Sequence, residues 1–197
     1  AVADGLDQNI VVEWINDEEL TRLLFAYLSE GDYRPGVLKR LQEIRLANAR
    51  RFSEYRALAV ALAIVYDQAW PTFWPHRQVD PWLVPIAAAP VADWFNFWVE
   101  SNASRALMLD LQKLSPDQIK YIVDAPLDLA EFRWARKNVK YQRSEFAKAF
   151  DAVTYSVERV KSGRFDWRGG EYTLENIHLQ TGICVDQAYY AMIAGKA

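Results

Sequence analysis

Cysteine is nearly absent from this chain: Cys184 stands alone among 197 residues. One thiol cannot close an intrachain disulfide, so no disulfide framework holds the fold, and the compartment, cytoplasmic or exported, is left open. Histidine is almost as scarce. His76 and His178, with a single cysteine at these separations, make no zinc pattern, and no Gly-rich phosphate loop is present, so no cofactor is implied. Eight glycines and eight prolines are too few for a collagen-like or low-complexity chain. Long apolar runs are missing too. The longest, Ala57 to Tyr66, covers about half of the ~20 residues that span a bilayer. Net charge is only −3, which gives no general attraction to nucleic acid or anionic lipid.

What is present is apolar area, 51% hydrophobic and 14% aromatic residues, enough to offset the entropy of ordering a domain-sized chain. Its spacing is helical. Asn16 with Glu19 predicts a capping box ahead of Leu20, Leu23, Leu24, Tyr27 and Leu28, with Gly31 as the stop. A second helix is predicted from Pro35 through Leu38, Leu41, Ile44 and Ala47, and a third, continuous with it or separate, carries Phe52, Tyr55, Leu58, Leu62 and Val65. Five prolines between Trp70 and Pro90 forbid a helix there and leave Gln78 to Val84 as a candidate edge strand. Periodicity returns at Val91, and Ser104 to Leu114 reads as a short strand or helix. Ser115-Pro116-Asp117-Gln118 is a helix start that runs to about Asp124. Another helix begins near Leu127. Phe146, Phe150, Val153, Val157 and Val160 predict one long amphipathic helix over 141–160. After a short pattern at 172–179, Gly182 precedes a last helix with Val185, Ala188, Tyr189, Met192 and Ile193 on one face.

That last helix places Cys184 in its first turn, opposite the apolar stripe. Unpaired N–H groups and the helix dipole there favour a thiolate and can hold an oxyanion, while Gly182 lets a carbonyl approach the backbone. Gln180 is a candidate amide for the same oxyanion site. The alternative is a small buried hydrophobe, as most free cysteines are. His178, six residues earlier, is a conceivable local partner, although a helix or turn between them opposes hydrogen-bond reach. His76 reads as a structural turn residue.

The segment Tyr172-Thr-Leu-Glu-Asn-Ile177, followed by Thr181-Gly-Ile-Cys-Val-Asp-Gln-Ala-Tyr-Tyr-Ala191, resembles the region around the nucleophile in transglutaminase-like members of the papain-like cysteine hydrolases. Glu131 to Arg136 and Tyr155 to Arg159 are similar to helices preceding that core in bacterial members. The resemblance implies that Cys184 is a catalytic nucleophile forming a thioester with a peptide or protein substrate. It also implies a β-sheet core, with a histidine and an aspartate downstream. No histidine follows Cys184, and nothing in the 13 residues after it can match a strand-borne histidine and aspartate, so the chain is expected to be the N-terminal part of such an enzyme and inactive alone.

Two basic clusters, seven residues in Arg34 to Arg56 and six in Arg133 to Lys148, read as solvated helix faces. The aromatic group Trp70, Phe73, Trp74, Trp82, Trp94, Phe95, Phe97 and Trp98 reads as core, with a sugar- or peptide-stacking platform as the functional alternative. The expectation is therefore a mainly α helical bundle with a proline-rich irregular middle, ending in the cysteine-bearing first helix of a transglutaminase-like core. Its boundaries are 1–126 for a helical region and 127–197 for the start of the catalytic domain. The competing reading is a non-catalytic helical binding module with a structural, buried cysteine. In either case no nucleic acid partner and no membrane span is expected, and self-association through exposed apolar surface is open.

Overall fold

Aspartates start the first two helices in the computed structural model, which describes residues 5–71, 74–86 and 90–197, apart from the side chain of Arg143. Asp7 accepts the Asn9 N–H at 2.8 Å and opens α1 (Gln8–Asn16). Asp17 accepts the Leu20 N–H at 3.0 Å and opens α2 (Glu18–Tyr27). The cap thus falls one residue after the expected Asn16. The reason lies far away in sequence: Arg56 binds Asp17 at 2.7 Å and stands 3.4 Å from Glu19, and with Asp17 as the cap Glu19 falls at the second helical position, where it closes no capping box. Gly31 is not the stop, because the backbone is already extended at Leu28.

These helices belong to a first unit, Ala1–Ala69 with Ala89–Asp124. It continues with α3 (Arg34–Ala47), α4 (Ala49–Glu54), α5 (Arg56–Val65), α6 (Val91–Ala103) and α7 (Pro116–Val123). Asn48 ends α3 and caps α4 through the Arg51 N–H, and Tyr55 breaks the chain again before α5. Helix α5 is its centre. Leu58, Ala59, Val60, Ala61, Leu62, Ala63 and Ile64 are all buried, against α2, α3, α6 and α7. Each large aliphatic side chain so buried contributes about 1.5–3 kcal/mol. Trp94, Phe95, Phe97 and Trp98 of α6 are buried as well, which makes half of the aromatic group core. A Cβ on Gly36 would meet the Asp67 carbonyl oxygen at 2.1 Å, so α3 needs that glycine for close approach. At α7 the capping box of Ser115 and Gln118 forms as its spacing predicts. Ser104 to Leu114, by contrast, forms turns and one 3-10 turn at Leu111–Lys113, pinned by Asn102, whose side-chain oxygen accepts the Leu111 N–H at 2.8 Å.

The second unit comprises Trp70–Ala88 and Ala125–Ala197. Its helices are α8 (Leu129–Asn138), α9 (Ala147–Asp151), α10 (Val157–Lys161), α11 (Leu174–Leu179) and α12 (Cys184–Lys196). The long helix expected over 141–160 is broken into a 3-10 turn, α9 and α10. Its apolar row does not pack as a stripe, since Phe146, Phe150, Val157 and Val160 are exposed and only Val153 is buried. Backbone pairing with Gly182 outcompetes the helix: Ser156 N–H donates to the Gly182 carbonyl at 2.7 Å, and Gly182 N–H donates to Thr154 at 2.9 Å. The proline segment is a strap rather than an edge strand. Pro81–Leu83 is a 3-10 turn, and the Gln78 and Leu83 carbonyls accept the N–H groups of Trp167 and Tyr172. Trp74 of the aromatic group packs edge-on against Tyr189, Trp82 is 78% exposed, and Phe73 lies outside the described residues.

Mainly α is therefore the correct class, but the transglutaminase-like attachment is not. Among the described residues there are only two isolated β-bridges, Ile86 with Leu127 and Tyr155 with Gly182, and no sheet. No helix of the described residues is long and apolar enough to cross a membrane.

Candidate functional site

At the start of α12 the chain sorts its side chains sharply between inside and outside. Cys184 is exposed, whereas Asp186, two residues on, has no exposed surface. Burying a carboxylate is costly unless it is fully paired, and here it is. One oxygen of Asp186 accepts the Tyr172 hydroxyl at 2.9 Å. The other accepts the Ile183 N–H at 2.8 Å and an Arg159 N–H at 2.9 Å. Arg159 is held in turn by the Phe165 carbonyl at 2.6 Å and lies 5.9 Å over the Trp167 ring. Burial, reinforced by the Asp186 charge, drives the Tyr172 hydroxyl pKa far above the ordinary phenol value, which keeps it a donor.

His76 extends this network. Its Nδ1 accepts the Gln78 N–H at 3.3 Å and its Nε2 stands 2.8 Å from the Tyr172 oxygen. Because the Tyr172 proton goes to Asp186, the pattern assigns a neutral ring with its proton on Nε2. Burial holds the His76 pKa below the ordinary imidazole value; Asp186, 4.0 Å away, opposes that shift and Arg159 adds to it.

The residues singled out in the sequence meet in one neighbourhood but are not assembled as a catalytic set. Gly182 is buried, and a Cβ there would lie 2.8 Å from Asp186 Cβ and 2.9 Å from Val153 Cγ1. Close packing inside the unit demands the glycine. Gln180 donates its amide to the Gly169 carbonyl at 2.6 Å. Among the described residues the Cys184 thiol has no hydrogen-bond partner: His178 faces the Tyr190 hydroxyl at 3.4 Å and stacks on that ring, and His76 is engaged with Tyr172. Among the described residues no group of His, Cys, Asp and Glu is placed to hold a metal.

The recurring letters of the Tyr172-to-Ala191 segment are thus satisfied by packing. Tyr172, Leu174 and Ile177 are fully buried, Thr173 caps α11, Gly182 allows close approach, and Asp186 closes the start of α12. Even the outlying helices follow suit, with Glu131 accepting the Leu174 N–H at 2.6 Å and Arg159 on Asp186. A segment that resembles a nucleophile region can therefore serve to seat two short helices. Without a sheet core or a triad at Cys184, the reading as a thiol hydrolase or acyl transferase with a cysteine nucleophile does not stand. The competing expectation of a buried cysteine is corrected too, since the thiol is exposed.

A second feature, in the first unit, is apolar. Leu6, Val11, Trp14, Ile15, Leu24, Phe25 and Leu38 line a groove of about 280 Å³ between α1, α2 and α3. Phe25 is 85% exposed and Ile15 70%. The sequence signal was Phe25 itself, an aromatic that fits none of the positions assigned to the inward face of α2. The basic residues of α3 to α5, by contrast, are mostly consumed in ion pairs: Arg40 with Glu43, Arg45 with Glu13, Arg50 and Arg51 with Glu54, and Arg56 with Asp17.

Comparison with protein-family models, curated proteins and solved structures finds no match for the chain.

Proposed function

We propose that the chain is a non-catalytic, helical protein-binding module whose docking surface is the groove between α1, α2 and α3. The observation that carries this reading is the exposure of Phe25 and Ile15 along an apolar groove. Large side chains left in water at one place mark interaction surfaces, and a groove between helices fits one apolar helix face with anchors at i, i+3 or i+4, and i+7.

The charges around it select the occupant. Among the described residues of α1 to α3 and the turns that join them, the acidic residues without an ion-pair partner, Asp7, Glu18, Glu30 and Asp32, outnumber the basic ones, Arg22, Arg34 and Lys39. A second copy would bring the same acidic residues against themselves, whereas an amphipathic helix with basic flanks is complementary. The occupant is therefore a basic, amphipathic helix of a partner protein.

Selection of a displayed peptide library on the immobilised chain tests this, with counter-selection on Phe25→Asp. Phe25 is a surface residue, so the variant keeps the fold. Enriched peptides are expected to show the apolar helical spacing with Lys or Arg between the anchors, and to lose about 10-fold or more in affinity on the variant. Peptides that bind both proteins equally would overturn the reading. So would a dimer in sedimentation that Phe25→Asp dissolves, since the occupant would then be a second copy.

A further inference from the structure

The second unit holds a cleft that the docking groove does not explain. It measures about 320 Å³, at the small end of ligand pockets, and lies between α10, the loop 162–170 and the residues just before α12. Its walls are polar: Glu158, Arg159, Arg164, Asp166 and Arg168 around the Trp167 ring, with Thr181 beside them.

The backbone of that loop is fixed. Arg159 holds the Phe165 carbonyl, Trp167 donates its indole N–H to Gly170 at 2.8 Å, and Gln180 holds Gly169. Gly163 and Gly170 supply the left-handed turns, with φ of 67° and 80°. The charged side chains on this frame divide into two kinds. Arg159 is spent on Asp186, and Arg164 is partly engaged, by Ser162 at 3.1 Å and by Glu158 at 3.5 Å. Asp166 and Arg168, two residues apart on the same loop, have neither an ion pair nor a side-chain hydrogen bond among the described residues, and they do not neutralise each other.

A backbone frame that already holds opposite charges apart leaves only side-chain rotamers to order when a ligand carrying both charges arrives. A simple anion would meet Glu158 and Asp166, and a simple cation would meet three guanidinium groups. We infer that this cleft binds a small zwitterion of the free α-amino acid class, with its carboxylate on Arg168 and Arg164 and its ammonium on Asp166. The volume suits a ligand of that size better than a nucleotide or a long peptide. The planar guanidinium fork of Arg168 offers two parallel N–H donors to a carboxylate.

The test titrates the twenty free L-α-amino acids singly into the full chain by calorimetry, with the N-acetyl and methyl-ester derivatives of the best binder and inorganic phosphate as single-charge controls. At least one amino acid should bind saturably, and each derivative should bind about 10-fold more weakly or worse, as expected for loss of one charged contact. Arg168→Gln and Asp166→Asn, both on exposed residues, should each weaken binding about 10-fold while leaving the thermal transition in place. Absence of saturable binding by any of the twenty at about 10 mM would overturn the inference. Equal affinity for the derivatives or phosphate, or affinity unchanged in both variants, would do the same.

Discussion

Helices α5 and α12 occupy the same position in their respective units, each packed on most of its neighbours, yet they are stabilised by different physics. Helix α5 buries an unbroken apolar run, Leu58 to Ile64, and asks of its surroundings only shape and volume. Helix α12 buries Asp186 and Gln187 beside Tyr189, Tyr190 and Ile193, and both polar groups need named partners: Tyr172, Ile183 and Arg159 for one, the Val153 carbonyl at 2.8 Å for the other. An apolar helix tolerates rearrangement because dispersion and water exclusion are not directional. A buried carboxylate does not, because each unmet hydrogen bond exposes its desolvation cost. The first unit should therefore fail gradually under core substitutions, and the second abruptly under single-atom ones.

The largest expected effect is Asp186→Ala. It strands Arg159 and Tyr172 without their acceptor and should cost about 3–5 kcal/mol, read as loss of hydrogen-exchange protection across α11 and α12. Next is Leu62→Ala in α5, expected at about 2–5 kcal/mol from lost transfer energy and cavity, measured by urea unfolding. If Leu62→Ala costs clearly more than Asp186→Ala, the contrast between the two helices is broken. Gly182→Ala forces a methyl against Val153 and Asp186 and should cost about 1–3 kcal/mol, visible as a lower midpoint in the same unfolding experiment.

A smaller effect comes from pH. His76 has a folded pKa below its unfolded value because of burial, so the unfolded state takes up the proton first as pH falls. Its contribution to stability is intact above the unfolded imidazole pKa of about 6.5 and is lost as pH falls through the lower folded value. Protonation would also turn Nδ1 into a donor facing the Gln78 N–H donor. The difference in stability between the native chain and His76→Gln should accordingly shrink on acidification across that window; a constant difference would show that the ring does not titrate within the network. The smallest effect is Cys184→Ser. It should leave stability within about 0.5 kcal/mol of the native chain, while native Cys184 labels with iodoacetamide without unfolding, and slow labelling would contradict its exposure.

Much of this fold is legible in local patterns. The Ser115–Gln118 capping box, the helical run of α5 and the lack of an α-helix among the described residues of the proline-rich stretch all follow from rules that act over a few residues. The misread elements share one cause. Asp17 displaced Asn16 as a cap because Arg56 reaches it from α5, and the 141–160 helix broke because Ser156 donates its N–H to Gly182 and Gly182 donates its own to Thr154, 26 and 28 positions away in sequence. At the candidate site, the residue types of the cysteine segment were visible, but their meaning was not. Gly182 and Asp186 have one appearance in a catalytic helix start and in a packed helix junction, and only their neighbours tell these apart.

The sequence by itself determined the helical class, the absence of a disulfide scaffold or membrane-spanning helix, and the apolar supply for a core, because composition and short-range periodicity fix these. Tertiary structure alone decided that Cys184 faces solvent while Asp186 is sealed two residues away, that most basic residues of α3 to α5 spend their charge on internal partners, and that Phe25 stands in water. Those outcomes depend on which distant side chains arrive at each position, and burial and pairing energies are set only once the chain has closed on itself.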